Sequence, residues 1–413
     1  MNPANASATP VSIGHVAVIG AGQLGQMLAE AALRLGYQPH ILAKSADEPA
    51  TQVAGVRVVV GEVSDPRSLA GLLDPVDLVT FESELTPPQV IAAAAGYRRA
   101  NGKPTVLEPS PAVMAVCGDK LRQKELLLRL GVPTAKFEAL PANETAGSWL
   151  TGLSERFGGS CVIKWARGGY DGRGTMVLRQ GREQLALAQS FVERATAQGS
   201  AVYAESFVPF TTELAVITSR STTGEVQQYS PVLTTQTNGI CTEVIGPAIS
   251  FGLSPETAQA ALDYARRIGE SLAIAGTYAV EYFVQADATV VVNEIAPRVH
   301  NSGHFTLDGA ETSQFENHWR GVLGLPLGST STSPFFGMVN LIGGPNFSGT
   351  VPTGFNFEGP GIVSYWYGKA EVRPGRKIGH INVVAENEAE LRRRIEQVKV
   401  AVAAWQSSLT KGS

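Results

Sequence analysis

Short apolar runs alternate with helical stretches through the first quarter of the chain. Four runs have the composition of buried parallel strands, and each is followed by a glycine-bounded or alanine-rich helical stretch. This alternation predicts a parallel sheet with crossover helices, an α/β domain that we place at residues 13–112. Residues 1–12 are polar, and we expect a disordered tail there. The four runs are His15–Gly20, Tyr37–Leu42, Val56–Val60 and Val76–Phe81.

The pattern changes after residue 112. Helices are predicted from about Asp119 to Leu130 and over Pro255–Leu272, and strand-like runs joined by glycine-rich turns lie between and after them. This predicts an α+β domain with mostly antiparallel strands at residues 113–327. A linker at Gly328–Pro334 and a small C-terminal domain at residues 335–413, ending in a charged helix, follow. The strand-like runs are Cys161–Lys164, Thr175–Leu178, Val202–Phe207, Leu214–Thr218, Tyr278–Val284 and Thr289–Ile295.

Composition narrows the class of protein. The formal net charge of −4 on 413 residues offers no general attraction for nucleic acid or an anionic membrane, so we expect neither as a partner. No run of 18 apolar residues occurs, which predicts no transmembrane helix. The three cysteines are far apart, which argues against a disulfide framework or a zinc site. Together with the absence of a signal-peptide pattern at the start, this predicts a cytoplasmic protein.

The turn Gly20–Gly25 (GAGQLG) fits the G-x-G-x-x-G pattern between a strand and a helix. Such a turn lets a phosphate approach the helix N-terminus. A dinucleotide site also needs an acid at the end of the second strand, and the nearest ones, Asp47 and Glu48, come late. Three interpretations stay open: a nicotinamide-dependent oxidoreductase, a phosphate site for another ligand, and a close-packed turn without a ligand.

The segment Lys164–Gly174 is more specific. A lysine ends a strand, and four glycines and two arginines follow within ten residues. A flexible backbone with cationic tips suits a lid, near residues 166–175, that closes over nucleotide phosphates. The alternative is a surface hairpin with solvated charges.

Two carboxylates lie inside apolar strands joined by a short turn. Glu281 and Glu294 are costly to bury unless they are paired or bound to a metal, and the spacing of the strands predicts that both face the same side. With Asn293 beside them they form an oxygen site suited to Mg²⁺ carrying phosphates. The alternative is two glutamates that are salt-bridged separately.

Two further segments carry dense polar chemistry. Ala296–His304 directly follows the second acidic strand and predicts a loop shaped around a polar ligand, although a plain polar loop is the alternative. Its two histidines are a weak zinc signal without a third ligand. Lys369–His380 is a basic cluster that suits a monophosphate, although most such clusters are solvated surfaces.

Five segments match, in the same order, the motifs of one known family: GQLGQM at Gly22–Met27, GGYDGRG at Gly168–Gly174, NEIAPRVHNSGH at Asn293–His304, SQFENH at Ser313–His318 and EVRPGRKIGH at Glu371–His380. The chain therefore resembles the ATP-grasp superfamily and, within it, the N5-carboxyaminoimidazole ribonucleotide synthetase family. The resemblance extends from about Val16 to the final helix. It implies an ATP-grasp architecture: an N-terminal parallel α/β domain, a central ATP-grasp domain and a small C-terminal domain.

The resemblance implies a ligase that carboxylates 5-aminoimidazole ribonucleotide through carboxyphosphate, with ATP, Mg²⁺ and bicarbonate, in purine biosynthesis. Lys120 and Lys164 match residues that hold the ATP phosphates, Glu205–Val208 the hinge that receives adenine, and Glu213 the ribose-binding acid. The implied ATP-binding residues are Lys120, Lys164, Gly169, Tyr170, Asp171, Gly172, Arg173, Gly174, Thr175, Glu205, Ser206, Phe207, Val208, Glu213, Gln236, Asn293 and Glu294.

The resemblance also implies Glu281 and Glu294 as Mg²⁺ ligands. Arg298, Lys164 and Arg173 are the candidate catalytic residues, and we expect Arg298 to steady bicarbonate or carboxyphosphate. The implied ribonucleotide-binding residues are Tyr170, Arg173, His300, Asn301, Ser302, Lys369 and Arg376.

The family precedent further implies a homodimer whose product passes to the mutase of the next pathway step. This chain departs from the family at Gln26, within Thr80–Leu85 and at Gln236, where many members carry a histidine near the nucleotide. Two other interpretations stay open beside the oxidoreductase: a formate-using ATP-grasp ligase and a non-catalytic nucleotide-binding regulator.

Overall fold

The computed structural model describes residues 14–169, 174–179, 182–345, 347–350 and 355–409. The expected disordered tail at residues 1–12 lies outside these ranges. The chain divides into two compact units. Unit 1 is Met1–Glu82 with Gln89–Glu108, and unit 2 is Ser83–Pro88 with Pro109–Ser413.

Unit 1 is built on a five-stranded sheet in the order β3-β2-β1-β4-β5. Every neighbouring pair is parallel, as the alternating pattern predicts. The central strand is almost fully buried from Val16 to Ile19, because crossover helices cover the faces of a parallel sheet. In chain order the elements are β1 (His15–Ile19), α1 (Gln23–Arg34), β2 (Gln38–Ala43), β3 (Arg57–Val60), α2 (Pro66–Leu73), β4 (Leu78–Phe81), α3 (Pro88–Gly96) and β5 (Val106–Leu107).

The turn between β1 and α1 needs its glycines for two separate reasons. Gly20 has a φ of +115°, a conformation that side chains other than glycine rarely adopt. A Cβ atom at Gly25 would lie 2.7 Å from the carbonyl oxygen of Gly20, so the first turn of α1 packs directly against the end of β1. The pattern G-x-G-x-x-G is therefore explained in part by close packing.

Unit 2 begins with two helices and a four-stranded sheet in the order β6-β9-β7-β8, whose pairings are all antiparallel. Asp119 caps α5, since its carboxylate accepts from the backbone N–H groups of Leu121 and Arg122. The elements are α4 (Pro111–Cys117), α5 (Lys120–Leu130), β6 (Phe137–Ala139), α6 (Ala146–Arg156), β7 (Cys161–Trp165), β8 (Thr175–Leu178), α7 (Arg182–Ala197) and β9 (Val202–Ser206).

A nine-stranded sheet forms the rest of unit 2, in the order β15-β14-β10-β12-β13-β16-β20-β18, with β11 paired to β10. Its strands after residue 335 continue the sheet of the preceding segment, a continuity that the sequence does not predict. Its elements are β10 (Phe210–Arg220), β11 (Val226–Gln228), β12 (Val232–Thr237), β13 (Ile240–Gly246), α8 (Pro255–Leu272), β14 (Gly276–Gln285), β15 (Val290–Ala296), α9 (Thr306–Gly309), α10 (Gln314–Val322), β16 (Phe335–Ile342), β17 (Gly349–Thr350), β18 (Ile362–Trp366), β19 (Glu371–Val372), β20 (Lys377–Ala385) and α11 (Glu388–Leu409), where β17 and β19 pair separately.

Helix α8 covers the strands that carry the two predicted carboxylates. Ala261, Ala265 and Ile268 lie on its buried face and belong to one core cluster with residues of β10, β14 and β15. The hydroxyl groups of Tyr278 and Tyr282 donate to carbonyl oxygens of this helix at 3.0 and 2.8 Å. These buried bonds fix α8 against β14 because an unpaired buried hydroxyl is costly.

Two sequence-based expectations concern membranes and thiols. Within the described ranges, no helix combines the length and apolar composition needed to cross a bilayer. Cys117, Cys161 and Cys241 are all free, and the first two are buried.

Truncating the core side chain of α8 tests how much this packing contributes. Ile268 is fully buried, so we expect Ile268→Ala to lower the free energy of unfolding by about 2–5 kcal/mol. Glu270 lies two residues away on the exposed face of α8, and Glu270→Ala should change the free energy of unfolding by less than about 0.5 kcal/mol. Urea unfolding measures both variants, and similar losses would contradict the packing described for α8.

Candidate active site

The two predicted carboxylates face each other across neighbouring strands. Glu281 of β14 is the direct antiparallel partner of Glu294 of β15, and the register then skips a residue, so that Tyr282 pairs with Val292. Asn293 is thus the extra residue of a β-bulge, a feature that turns a side chain away from regular alternation. The bulge explains how Asn293 and Glu294, which are adjacent in sequence, can contact lysines of the same cluster.

Three lysines form ion pairs with Glu294 or with Glu205 of β9. Lys120, at the start of α5, forms an ion pair with Glu294. Lys164, at the end of β7, donates to Asn293 Oδ1 at 3.1 Å and forms an ion pair with Glu205 of β9. These contacts bring the predicted phosphate-binding lysines and the predicted metal-binding strand into one cluster.

The third lysine, Lys124, was not predicted. It lies one helical turn after Lys120 and is fully buried. Its Nζ atom lies 3.1 Å from Glu205 Oε2 and donates to Thr134 Oγ1 at 2.8 Å. The i, i+4 spacing on α5 was the available sequence signal, because residues four apart lie on one helix face.

Electrostatics distinguish the acids of the cluster. Burial alone raises the pKa of Glu205, but the charges of Lys164 and Lys124 outweigh it and lower that pKa to about 2. Burial, followed by the neighbouring Glu294, raises the pKa of Glu281 to about 7. At Glu205 the charges of the two lysines therefore outweigh burial, whereas at Glu281 burial and the charge of Glu294 outweigh the positive charges nearby.

This donor set fits Mg²⁺. Carboxylate oxygens are the ligands that the ion prefers, and it commonly takes only one or two protein carboxylates and completes its shell with phosphate oxygens and water. Among the described residues, no group of three or more His, Cys, Asp or Glu side chains could hold a metal ion. The pair supplies two carboxylates, a number that suits a Mg²⁺ ion that also binds the phosphates of a nucleotide.

The predicted hinge, Glu205–Val208, begins at this acid. Ser206 ends β9, its N–H donates to the carbonyl oxygen of Lys136 at 2.8 Å, and Phe207 and Val208 form the connection to β10, with the Phe207 side chain 47% exposed. Glu213 on β10 pairs in register with Phe283 of β14, and its charge acts on Glu281. Burial raises the pKa of Glu213.

Of the other predicted nucleotide residues, Gln236 and Thr175 lie on strands. Gln236 lies on β12 at a register shift. Thr175 is the antiparallel partner of Lys164, and Gly174 accepts a hydrogen bond from the N–H of Trp165 at 2.9 Å. Gly169 is buried. Tyr170, Asp171, Gly172 and Arg173, predicted as lid residues, lie outside the described residues.

The polar loop after β15 reaches the same cluster. The Nε2 atom of His300 lies 3.6 Å from Glu281 Oε1. Ser302 donates its backbone N–H to His300 Nδ1 at 3.3 Å, and its hydroxyl lies 2.8 Å from that atom. Since Nδ1 accepts, the ring proton lies on Nε2 and faces the carboxylate.

Arg298 has a partner that the sequence did not predict. Its guanidinium forms a two-point ion pair with Glu84, in which Nη2 and Oε1 are 2.9 Å apart. Burial alone raises the pKa of Glu84, but Arg298 outweighs it, so that pKa lies below its ordinary value. The pair anchors the start of the polar loop.

The basic C-terminal segment is ordered by its own backbone. Lys369 donates to the carbonyl oxygen of Lys377 at 2.7 Å and lies over the ring of Tyr367, and Arg376 donates to the carbonyl oxygen of Glu371 at 2.7 Å. The charge of Lys377, which was not predicted as a site residue, acts on Glu281. This interaction places the end of the segment beside the acids.

In unit 1, a carboxylate occupies the glycine-rich turn. Glu82 accepts hydrogen bonds from the backbone N–H groups of Gly22 at 2.7 Å and Leu24 at 3.2 Å. These are donors that a bound phosphate would need at the N-terminus of α1. The structure thus favours the close-packed turn over a dinucleotide or phosphate site.

Comparison with known proteins identifies the family. Three family models match in chain order: the ribonucleotide synthetase preATP-grasp domain over residues 13–117, the ATP-grasp domain over residues 125–315, and the phosphoribosylaminoimidazole carboxylase C-terminal domain over residues 337–394. The chain is 40% identical to the N5-carboxyaminoimidazole ribonucleotide synthase of Synechococcus elongatus over 374 residues, which cover 89% of each protein. The chain belongs to the N5-carboxyaminoimidazole ribonucleotide synthetase family.

Solved structures agree with the membership in this synthetase family. The carboxyaminoimidazole ribonucleotide synthase of Aspergillus clavatus, complexed with ATP, has a TM-score of 0.82 and 30% identity, with 95% of this chain and 98% of that chain covered. The synthase of the same fungus in complex with ADP and 5-aminoimidazole ribonucleotide has a TM-score of 0.78 and 28% identity, with 94% and 99% covered. The predicted ATP-grasp architecture and the class of ATP-dependent ligase are confirmed.

The buried Lys124 makes the stability of this synthetase depend on pH, and the variant Lys124→Met should lack that dependence. An unfolded lysine titrates at about pH 10.4, whereas burial, opposed by Glu205, lowers the pKa of folded Lys124 to about 8. The unfolded chain binds more protons between these values, so the free energy of unfolding rises with pH there. We expect wild-type protein to gain roughly 1–3 kcal/mol over Lys124→Met as pH rises through this window.

Urea unfolding of both proteins at several pH values from neutral to alkaline measures the difference. The exposed Lys103 provides the control variant Lys103→Met, which accounts for the loss of a lysine at the surface. Parallel curves of unfolding free energy against pH for wild-type and Lys124→Met would show that folding does not lower the pKa of Lys124.

Proposed function

We propose that the protein carboxylates 5-aminoimidazole ribonucleotide to N5-carboxyaminoimidazole ribonucleotide, with ATP and bicarbonate as co-substrates and carboxyphosphate as intermediate. The observation that carries the proposal is the cluster in unit 2. There Lys120 and Lys164 contact the acidic strand, and His300 of the following loop lies 3.6 Å from Glu281. Phosphate-binding and acceptor-binding chemistry thus meet at one pair of carboxylates.

The nucleotide half of the site follows from these charges. Lys120 and Lys164 would hold the ATP phosphates, with the adenine at Glu205–Val208 and the ribose at Glu213. Glu281 and Glu294 would hold Mg²⁺, which supplies positive charge against the γ-phosphate when bound. Glu205 keeps Lys164 oriented before ATP binds, and Lys124 keeps Glu205 ionised. The other proposed ATP contacts are Gly169–Thr175, Gln236 and Asn293.

The reaction needs positioning and the exclusion of water. A bicarbonate oxygen attacks the γ-phosphorus and ADP leaves, which gives carboxyphosphate, a mixed anhydride that water hydrolyses readily. The ribonucleotide amine then forms a C–N bond to the carboxyl carbon and loses a proton. Inorganic phosphate leaves, either as the amine attacks carboxyphosphate or when carboxyphosphate first breaks down to CO2 and phosphate. We assign Arg298 to the anionic co-substrate and Lys164 and Arg173 to the transferred phosphoryl group, because catalysis of phosphoryl transfer is mainly electrostatic.

The acceptor would lie over the polar loop. His300, Asn301 and Ser302 contact it from that loop, Tyr170 and Arg173 from the lid, and Lys369 and Arg376 from the basic segment. The Aspergillus clavatus complexes, with ATP in one and with ADP and 5-aminoimidazole ribonucleotide in the other, support both ligands.

Several broader expectations belong to the same proposal. The boundaries 13–112, 113–327 and 335–413 are proposed domain limits, and the three free thiols support a cytoplasmic location. A homodimer and transfer of the product to a mutase rest on the family resemblance.

Phosphate release from ATP, with Mg²⁺ and bicarbonate, tests the function. We expect release to rise strongly when 5-aminoimidazole ribonucleotide is added. Glu294→Gln removes one charge of the acidic pair and should lower the stimulated rate by at least about a hundredfold. Glu396 is exposed on α11, and Glu396→Gln should match wild-type. If the protein is folded and binds ATP but its phosphate release does not rise with the ribonucleotide, the result would indicate another acceptor or a non-catalytic regulator.

Arg298 has a separate test because removing its side chain also takes the ion-pair partner away from the buried carboxylate of Glu84. We expect Arg298→Ala to abolish stimulated phosphate release and to lower stability by about 3–5 kcal/mol, the cost of an unpaired buried charge. The double variant Glu84→Gln, Arg298→Met leaves no charge unpaired and should regain stability without regaining turnover. Turnover in the double variant would contradict the role assigned to Arg298.

A further inference from the structure

The side chain of Asn301 is held by a second amide that no motif comparison singled out. Asn301 Nδ2 donates to Asn340 Oδ1 at 2.9 Å, and Asn340 Nδ2 donates to Asn301 Oδ1 at 2.7 Å. Asn340 lies in the middle of β16 and is 3% exposed. The two amides form a closed, reciprocal pair, with two hydrogen bonds where a single contact would allow rotation.

A backbone carbonyl decides which way the pair is oriented. Asn340 Nδ2 also donates to the carbonyl oxygen of Cys241 at 2.9 Å. A carbonyl oxygen accepts only, so Asn340 must present its nitrogen there and its oxygen toward Asn301 Nδ2. Turning the Asn301 amide over would then place nitrogen against nitrogen and oxygen against oxygen. The carbonyl oxygen of Cys241 on β13 therefore fixes the amide of Asn340 on β16, which in turn fixes the amide of Asn301 in the polar loop.

The same loop is held at two further points, His300 and His304, by buried amides. Gln314 of α10 accepts from the backbone N–H of His300 at 2.9 Å and donates to its carbonyl oxygen at 2.7 Å. Asn382 of β20 donates to the carbonyl oxygen of His304 at 2.9 Å. Both amides are almost fully buried, where an unmade hydrogen bond costs most. Only the Asn340 contact reaches a side chain that is a proposed acceptor contact.

We infer that Asn340 is a positioning residue, which presents the Asn301 amide to the acceptor in one fixed orientation. This inference rests on the proposed function, since it deepens the role given to Asn301. Asn340 acts through Asn301 and does not itself touch a substrate. With the pair intact, the second N–H of Asn301 and the free lone pair of its oxygen keep constant directions, so no binding energy is spent on ordering the side chain.

Removing the Asn340 amide should affect the acceptor and not the nucleotide. In Asn340→Ala we expect kcat/KM for 5-aminoimidazole ribonucleotide to fall by at least about tenfold, because small misplacements of binding groups are costly. The KM for ATP should stay within about threefold, since the lysine cluster is not changed. Asn340→Asp, which keeps the shape but cannot donate to Cys241, should show the same split and serves if the alanine variant folds poorly.

Asn317 provides a matched control. It is an equally buried asparagine of unit 2, and its amide bonds to Tyr229 and Gly328 without contacting the polar loop. Asn317→Ala should lose comparable stability in a thermal melt while keeping kcat/KM for the ribonucleotide near the wild-type value. A similar loss of kcat/KM in both variants would show a merely structural role and overturn the inference.

A double-variant cycle tests the route through Asn301. If Asn340 acts through Asn301, adding Asn340→Ala to Asn301→Ala should change kcat/KM by less than about threefold, whereas independent effects multiply. Multiplying losses would contradict the inference.

The two proposals fail in different ways. A wild-type protein that does not respond to the ribonucleotide contradicts the proposed function, and the assignment of Asn301 to that acceptor falls with it. A responding wild-type protein with an unimpaired Asn340→Ala variant contradicts the inference alone. Crystals of Asn340→Ala give a readout that needs no acceptor: the inference requires that the Asn301 amide lose its single orientation, and a side chain held as in the wild-type protein contradicts it.

Discussion

Charge balance inside unit 2 is the constraint on which the candidate site depends. Charged side chains removed from water are tolerated only when they are paired and hydrogen-bonded. Lys124 and Lys164 share Glu205, and this shared acid keeps both ammonium groups in place behind the acidic strands. At Glu281, burial and then the charge of Glu294 raise the pKa. Lysine and carboxylate side chains in one cluster suit a metal–nucleotide complex, because the lysines can bind its phosphates and the carboxylates its metal.

The contact between β15 and α5 determines where these charged side chains lie. β15 is the edge strand of the nine-stranded sheet, and an edge must satisfy its outward backbone groups. Gln123 of α5 does so at Ile295, accepting from its N–H at 2.8 Å and donating to its carbonyl oxygen at 3.0 Å. α5 also carries Lys120 and Lys124. One helix therefore positions the edge strand and supplies two of the three cations that surround it.

Buried amides extend the same arrangement into the polar loop. Gln123 and Gln314 each bind both backbone groups of one residue. These bonds are directional and come from buried side chains, so they specify one backbone conformation more strictly than apolar packing does. The strands after residue 335 contribute Asn340 and Asn382 to this frame, which explains why the C-terminal segment belongs to the same sheet as the site.

The sequence alone determined the parallel sheet of unit 1, helix Pro255–Leu272, and the placement of Glu281 and Glu294 on neighbouring strands, because periodicity and local turns encode these features. The motifs also determined the family. Tertiary structure alone decided the bulge at Asn293, the pairing of Arg298 with Glu84, and the amide contacts of Asn301. These depend on strand register and on residues from distant elements, which no local pattern reveals, since a single-residue shift changes which side chains meet.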